Sequence, residues 1–302
     1  MRKLLVLVLI LALALVGCGN DEAKEISVVA TLFPQYDFTR NIAGENADVT
    51  LLLDFGTDAH SYDPTPMDIL KIAKADLFIY TGDNMELWAK KLLESADIAQ
   101  AIESGSLKVL DLSEHVELHA HNDHGHEDYD PHIWTSPKNA VSMCKAICTS
   151  LSELDGENAH RNEANLDAYS EKLAELDVAL SEVALGADNR EVIFGGSFAF
   201  AYMFEEYGLS HFSVYEGCAS HAEPSAADLS RVVNAAKNLG AKYILYDTET
   251  EKKNAQIIAN ESGASLLHIH AIHNISKAEF DSGEDYISLM KKDIEALRKA
   301  LY

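Results

Sequence analysis

The sequence predicts an α/β protein with two lobes, in each of which helices cover a parallel sheet. Short apolar or β-branched runs alternate with amphipathic helical patterns along the 302 residues, and one long helical pattern divides that alternation into two halves. Strands that alternate with helices pair in parallel, because each helix carries the chain back to the same edge of the sheet. We therefore expect two lobes joined by one long rigid helix, with a ligand site in the cleft between them.

Eight strands and nine helices make up this alternation. The strands are expected at Ile26–Leu32, Val49–Leu53, Leu77–Tyr80, Leu107–Leu112, Glu191–Phe194, Phe212–Tyr215, Tyr243–Tyr246 and Ser265–Ile269. The helices are expected at Pro34–Ala43, from Pro66 onward, and at Asp83–Leu93, Pro137–Leu151, Asn158–Leu185, Ala199–Tyr207, Ala226–Leu239, Glu251–Glu261 and within Phe280–Leu301.

The joining helix is the longest of these patterns, from Asn158 to about Leu185. It contains no glycine or proline, and roughly 28 residues at about 1.5 Å each give a rod of about 42 Å. Such a rod suits a spine between two lobes. The predicted division is an N-terminal lobe at 26–155, the linking helix at 156–186 and a C-terminal lobe at 187–302.

The N-terminus has the features of an export signal. Arg2 and Lys3 precede the apolar run Leu4–Val16, which is too short to span a bilayer comfortably, and Cys18 follows directly. Residues 1–17 resemble a bacterial lipoprotein signal peptide, which implies lipidation of Cys18 and a tether at 18–25. We expect the protein to be extracytoplasmic and anchored to the bacterial cell membrane by lipid. The alternative is a plain secretory signal with a coincidental cysteine.

The acidic composition of the chain argues against a nucleic-acid partner. The 49 acidic and 24 basic residues give a formal net charge of -25, and such a surface repels nucleic-acid backbones. An acidic field also raises the local concentration of cations. Cys144 and Cys148 lie one helical turn apart, where a disulfide rarely forms, so we interpret them as small buried residues.

A histidine-rich loop at 115–130 is the most distinctive local feature. Five histidines fall within fourteen residues, at His119, His121, His124, His126 and His132. Neutral imidazole is the commonest side-chain ligand for zinc, so this density points to metal. The first four lie in a polar, low-complexity stretch that indicates an auxiliary, metal-collecting arm. His132 lies between a proline and an isoleucine–tryptophan pair, which indicates a fixed ligand. The alternative for the whole stretch is a solvated histidine-rich loop that binds no metal.

Further histidines are expected at the carboxyl ends of predicted strands. His60 follows the second predicted strand, and His268, His270 and His273 lie at or beyond the end of the eighth. Ligands in parallel sheets gather at the carboxyl ends of strands. Since side chains alternate along a strand, His268 and His270 are expected on one face, with His273 on a following turn.

The chain resembles the metal-binding lipoproteins of ABC importers for zinc and manganese. The resemblance covers nearly all of the chain after Cys18, and it depends on segments that are specific only in combination. They are Gly56–Pro66, Ala75–Leu77 with Gly82 and Glu86, Asp130–Trp134, Ala199–Tyr202 with Tyr207–Leu209, and Glu223–Ser225. The resemblance implies two α/β lobes joined by a rigid helix, one metal in the cleft, and small lobe movements. The histidine-rich loop resembles an insertion of the zinc-preferring branch.

The resemblance carries over to the ligands unevenly. His60 and His132 match the first two ligand positions of the family. Ser197 stands at or near the third, usually a histidine, and a neutral hydroxyl is a poor zinc ligand. His270 aligns with the fourth, usually an aspartate, so the chain looks like a variant in which His270 supplies the third nitrogen. The candidates for completing the shell are His273, His268, Ser197, Glu216 and water.

The expected function is capture of Zn²⁺ outside the cell and its delivery to an ABC permease, by a monomer that is not an enzyme. Three imidazoles favour Zn²⁺, and Mn²⁺ is less favoured because it prefers more oxygen ligands. One alternative is a zinc-dependent hydrolase with Glu216 or Glu223 as general base, although no H-E-x-x-H pattern is present. Another is a manganese-binding or adhesin-type member of the same family.

Overall fold

The computed structural model describes residues 25–121, 128–215 and 223–302. Within them lie two four-stranded sheets in which every pairing is parallel, with orders β2-β1-β3-β4 and β10-β9-β7-β8. The predicted α/β class with helix-covered parallel sheets is confirmed. The strands are β1 Ile26–Ala30, β2 Ala47–Leu51, β3 Leu77–Tyr80, β4 Lys108–Asp111, β7 Glu191–Phe194, β8 Ser210–Phe212, β9 Tyr243–Tyr246 and β10 Ser265–His268. A two-residue antiparallel ladder, β5 Ala120–His121 with β6 Asp128–Tyr129, is the third sheet.

Helices pack on both sheets. In the first half they are α1 Phe33–Ala43, α2 Pro66–Lys74, α3 Ala89–Leu93, α4 Ala96–Glu103 and α5 Pro137–Leu154, followed by the long α6 Ala159–Gly186. In the second half they are α7 Ala201–Tyr207, α8 Ala226–Leu239, α9 Glu249–Ser262, α10 Lys277–Asp281 and α11 Tyr286–Leu301. No helix of the described residues is long and apolar enough to cross a membrane.

Local sequence explains where the helices begin. Thr65 caps α2 and exchanges hydrogen bonds with Asp68, and Pro66 occupies the first turn, where its missing N–H is not needed. Thr248 and Glu251 form the same reciprocal cap at the start of α9. The predicted length of the joining helix is confirmed, since α6 has 28 residues, and it packs against α1, α5 and α11. Its role as the boundary between domains stays a prediction.

One predicted helix is wrong over half its length. Residues 83–88 of the expected Asp83–Leu93 helix form turns, and helix is found only at Ala89–Leu93. The cause is the buried Glu86, whose carboxylate accepts hydrogen bonds from Thr81 N and Gly82 N and so folds the chain back on the end of β3. Burial raises the pKa of Glu86 to about 7. The predicted strand at Phe212–Tyr215 is likewise found earlier, at Ser210–Phe212.

The chain after β10 returns to the first half of the molecule. His273 O accepts a hydrogen bond from Phe33 N at 3.1 Å, and Ile275 O accepts one from Gly56 N at 3.0 Å. The Asn274 amide donates to Asp54 O at 2.8 Å and Thr57 O at 3.1 Å. The main hydrophobic core also includes residues from both halves. Residues 273–275 therefore belong structurally to the loops that follow β1 and β2.

Candidate metal centre

Three histidines from separate segments meet in the structure. His60 lies on the loop after β2, His132 directly before the 3₁₀ turn Ile133–Thr135, and His273 beyond the end of β10. One nitrogen from each lies within 4.8 Å of the others. The ring centroids are 5.5 Å apart for His60–His132, 5.3 Å for His60–His273 and 4.9 Å for His132–His273. This cluster is the one group of three or more potential ligands found among the described residues.

His132 is the most firmly held of the three. Its side chain is fully buried, and Asp130 Oδ1 lies 2.8 Å from both the backbone N and the ring Nδ1 of His132. The Nδ1–H donates to this carboxylate, which leaves the Nε2 lone pair directed away from Asp130. A carboxylate on the far nitrogen both orients a ligating imidazole and raises its basicity. The prediction of a fixed imidazole next to Pro131 agrees with this arrangement.

His60 is held through its own backbone. The backbone N donates to Asp58 Oδ1 at 3.1 Å, and Asp58 Oδ2 accepts from the hydroxyl of Ser61 at 2.8 Å. This short turn follows the positive φ of 77° at Gly56, a conformation that glycine adopts without steric cost. The side chain is half-buried. His60 is thus presented on a structured loop whose outer side faces solvent.

His273 supplies the third imidazole. Its Nε2 is shielded from solvent and has no hydrogen-bond partner among the described residues. Burial, followed by the neighbouring His132 and His60, lowers the pKa of His273 well below its usual value, so the ring is neutral at pH 7. The indole of Trp134 packs near it, with ring centroids 5.4 Å apart. A buried, neutral and unpartnered imidazole nitrogen costs free energy unless something binds it.

His270 and His268 lie beside this cluster and are not members of it. The Nδ1 of His270 accepts a hydrogen bond from Ile272 N at 2.8 Å, and its Nε2 lies 3.8 Å from Glu279 Oε1. His268 is exposed, and its Nε2 lies 2.8 Å from Asp247 O. The sequence prediction placed His270 third because it aligned His270 with the fourth ligand position of the family. The strand ends at His268, and Ile272 then takes a positive φ of 58°.

Ser197 is also outside the cluster, and the side chain of Glu251 lies against its loop. Its backbone N donates to Glu251 Oε1 at 2.7 Å. The Glu251 carboxylate is packed so closely against Gly196 that a Cβ there would overlap it. A glutamate side chain thus occupies the space in front of this loop and binds its backbone.

The remaining predicted residues divide into two groups. His119 is described, with Nδ1 2.7 Å from Glu205 Oε2 and its ring stacked on Tyr202 at 4.4 Å, and the backbone of His121 lies in β5. The predictions for His124, His126, Glu216 and Cys18 concern residues outside the described part of the chain. Cys144 and Cys148 are buried free thiols, as predicted.

The donor set fits a zinc ion. Zinc binds about four N, O or S donors, with nitrogens near 2.0–2.1 Å. Three imidazoles provide three donors from one compact cluster, and the unpartnered Nε2 of His273 provides an atom that a cation would satisfy. Softer, nitrogen-only coordination favours zinc over manganese.

Comparison with known proteins places the chain among metal-uptake proteins. The zinc-binding lipoprotein AdcA of Streptococcus pneumoniae is 33% identical over 99% of this chain, which spans 61% of that relative's length. The high-affinity zinc uptake system protein ZnuA of Bacillus subtilis is 33% identical over 96% of this chain and 94% of its own. The crystal structure of the Zn(II)-bound ZnuA-like domain of Streptococcus pneumoniae AdcA superposes with a TM-score of 0.78 at 30% identity, covering 92% of this chain and 99% of the domain.

The family model described as zinc-uptake complex component A, periplasmic, matches residues 28–300. That match includes both sheets, the long helix and all three clustered histidines. The fold, the histidine cluster and the similarity agree with one another. The chain therefore belongs to the ZnuA family of zinc-uptake components.

Proposed function

We propose that this protein captures a Zn²⁺ ion outside the cell and delivers it to the permease of an ABC importer. The observation that carries the proposal is the meeting of His60, His132 and His273, each with a nitrogen within 4.8 Å of the others. Three protein nitrogens leave one position of a tetrahedral shell for water. His273 thus takes the place that sequence reasoning gave to His270.

One feature suits a carrier better than a catalyst. A zinc hydrolase needs, besides its metal ligands, a general base next to the metal-bound water. Glu223, one base considered from sequence, is exposed at the edge of its segment. We infer that the zinc ion is cargo, and that the protein works as a monomer held to the membrane through a lipid on Cys18.

The binding part of the proposal is tested by zinc titration against a chromophoric chelator. Metal-free wild type is compared with His60→Ala, His132→Ala and His273→Ala, with the exposed His160 on α6 as a matched control for loss of a histidine. Each cluster variant should lose affinity by at least about 100-fold, because a direct ligand contributes more than the groups that orient it. His160→Ala should stay within about twofold of wild type, since an exposed imidazole on a distant helix holds no shared ion.

The delivery part needs a cellular readout. Cells that depend on this protein should lose growth in zinc-limited medium when His273→Ala replaces the wild type, and excess zinc should restore it. Normal zinc affinity in His273→Ala would overturn the assignment of the site. If wild type binds zinc tightly, His273→Ala does not, and cells with the variant still grow normally in zinc-limited medium, the transport role is overturned and the site stands.

A further inference from the structure

The residue directly before His273 has an unusual backbone conformation. Ile272 has a φ of 58°, and among the described residues it is the one non-glycine with a positive φ. For a β-branched side chain this left-handed conformation is a true outlier, at a cost of roughly 1–3 kcal/mol. The side chain of Ile272 is also buried. Some other contact must compensate this cost, since the conformation is not intrinsically favoured.

Side chains bind three successive backbone amides of this turn. The N–H of His270 donates to Asp293 Oδ1 at 2.9 Å, and the N–H of Ala271 donates to Asp247 Oδ1 at 3.0 Å. The N–H of Ile272 donates to Nδ1 of the His270 ring at 2.8 Å. On the other side, Ala271 O accepts from Trp134 Nε1 at 2.8 Å. The conformation of the turn is therefore set by the groups around it.

The bond to Ile272 determines which nitrogen of His270 carries the proton. A neutral imidazole has one N–H and one lone pair. Burial lowers the pKa of His270 to about 4, so the ring is neutral at pH 7. Since Nδ1 accepts the Ile272 N–H, the ring proton lies on Nε2, which faces the Glu279 carboxylate at 3.8 Å. In this conformation the ring has no lone pair left for a metal ion.

We propose that His270 is a positioning residue, whose Nδ1 holds Ile272 in its left-handed conformation and thereby directs His273 toward His60 and His132. The inference rests on the proposed function, because it concerns how the third ligand of that site is placed. It assigns His270 a contact with the protein backbone in place of a contact with the ion. Loss of the Nδ1 acceptor lets the turn relax, and the third imidazole moves away from the other two.

Two substitutions at His270 distinguish the role of Nδ1 from that of Nε2. In His270→Asn the amide oxygen Oδ1 lies where Nδ1 was, and an asparagine readily bonds the amide two residues on. In His270→Gln the polar atoms lie near the former Nε2, and that acceptor is lost. Zinc affinity is measured for both and for His270→Ala, beside His273→Ala. Thermal unfolding of each metal-free variant shows whether it is folded, and the visible spectrum of Co²⁺ bound in place of zinc reports the number and kind of ligands.

We expect His270→Ala and His270→Gln to lose zinc affinity by about 10–100-fold, the usual effect of removing a group that orients a ligand. His270→Asn should restore most of it, with the wild-type Co²⁺ spectrum. If Asn binds as poorly as Ala while Gln retains affinity, Nε2 is a ligand and the inference is overturned. Wild-type affinity in all three also overturns it. Normal affinity in His273→Ala would instead overturn the proposed site itself, so the two failures are distinguishable.

Discussion

The two sides of the histidine cluster hold their imidazoles by different means. On the N-terminal side, Asp130 binds the His132 ring itself, with Oδ1 2.8 Å from Nδ1. On the C-terminal side, Asp247 and Asp293 bind the backbone amides of the residues two and three positions before His273. His132 is therefore oriented through its ring, and His273 through the backbone conformation of the residues before it. We therefore expect zinc affinity to depend on a ring contact on one side of the cluster and on the stability of the backbone turn on the other.

Removing the ring contact should give the largest effect. Asp130→Ala leaves the His132 ring without the acceptor that fixes its tautomer, and we expect zinc affinity to fall by about 10–100-fold. The measurement is chelator competition at pH 7.5. Asp130→Asn, which keeps an acceptor for Nδ1–H but has no charge, should lie between wild type and Ala. Equal affinity in all three proteins would mean that packing alone orients His132.

On the backbone side the measurable effect is on folding. Burial raises the pKa of Asp247 to about 7, from 3.8 in an exposed chain. Between about pH 4 and pH 7, Asp247 therefore holds a proton in the folded state and has lost it in the unfolded state. The stability that this proton contributes is present below about pH 4 and is lost as the pH rises through 7. Asp247→Asn keeps an acceptor for Ala271 N–H without ionising. Relative to this variant, metal-free wild type should lose up to about 1.4 kcal/mol of unfolding free energy per pH unit over that window.

Urea unfolding of both metal-free proteins at several pH values from 5 to 8 measures that slope. Parallel curves for wild type and Asp247→Asn would show that Asp247 ionises normally in the fold. The matching Asp130→Asn pair serves as a comparison from the other side of the cluster. Each variant loses one carboxylate relative to wild type. If the dependence of unfolding free energy on pH differs between the two comparisons, the cause is where the carboxylate lies and not the loss of one negative charge.

The smallest effect is expected from shortening the histidine-rich loop. His121 and Asp128 are paired in the β5–β6 ladder, so residues 122–127 can be replaced by Asn-Gly, which favours a two-residue hairpin turn. We expect the affinity of the tight site to change by less than about twofold, because none of its three ligands is removed. The number of weakly bound zinc ions, measured by calorimetry, should fall. Loss of the tight site would mean that the loop contributes to it.

Much of the fold could be predicted because short apolar runs that alternate with helical patterns are typical of buried parallel strands. Leu77–Tyr80 is apolar throughout, and it is found as strand β3 with the same bounds. His60 and His132 could be predicted because His60 follows a strand, His132 lies between a proline and an apolar pair, and both match ligand positions of the family. The structure adds that an acidic residue two positions earlier binds the backbone of each.

The third position could not be predicted from such local patterns. His273 follows a residue with a positive φ, Ile272, and an isoleucine in the sequence does not indicate such a conformation. The carboxylates that hold this turn come from distant residues, among them Asp293 on the last helix. The glutamate that fills the space at Gly196 is likewise far along the chain, and only the folded structure brings Glu251 there.

The hydrogen bonds that tie residues 273–275 to the first half of the molecule limit how a bound ion can leave. Phe33, Gly56 and Asp54 all contact this segment. A hinge that separated the two halves at the cluster would have to break these bonds together, each with a net contribution of about 0.5–1.5 kcal/mol. Hydrogen bonds thus hold the His273 segment to the loops that follow β1 and β2. Since Asp54, Gly56 and Thr57 belong to the loop that carries His60, displacement of that loop would break the same bonds, and we expect bound zinc to exchange slowly.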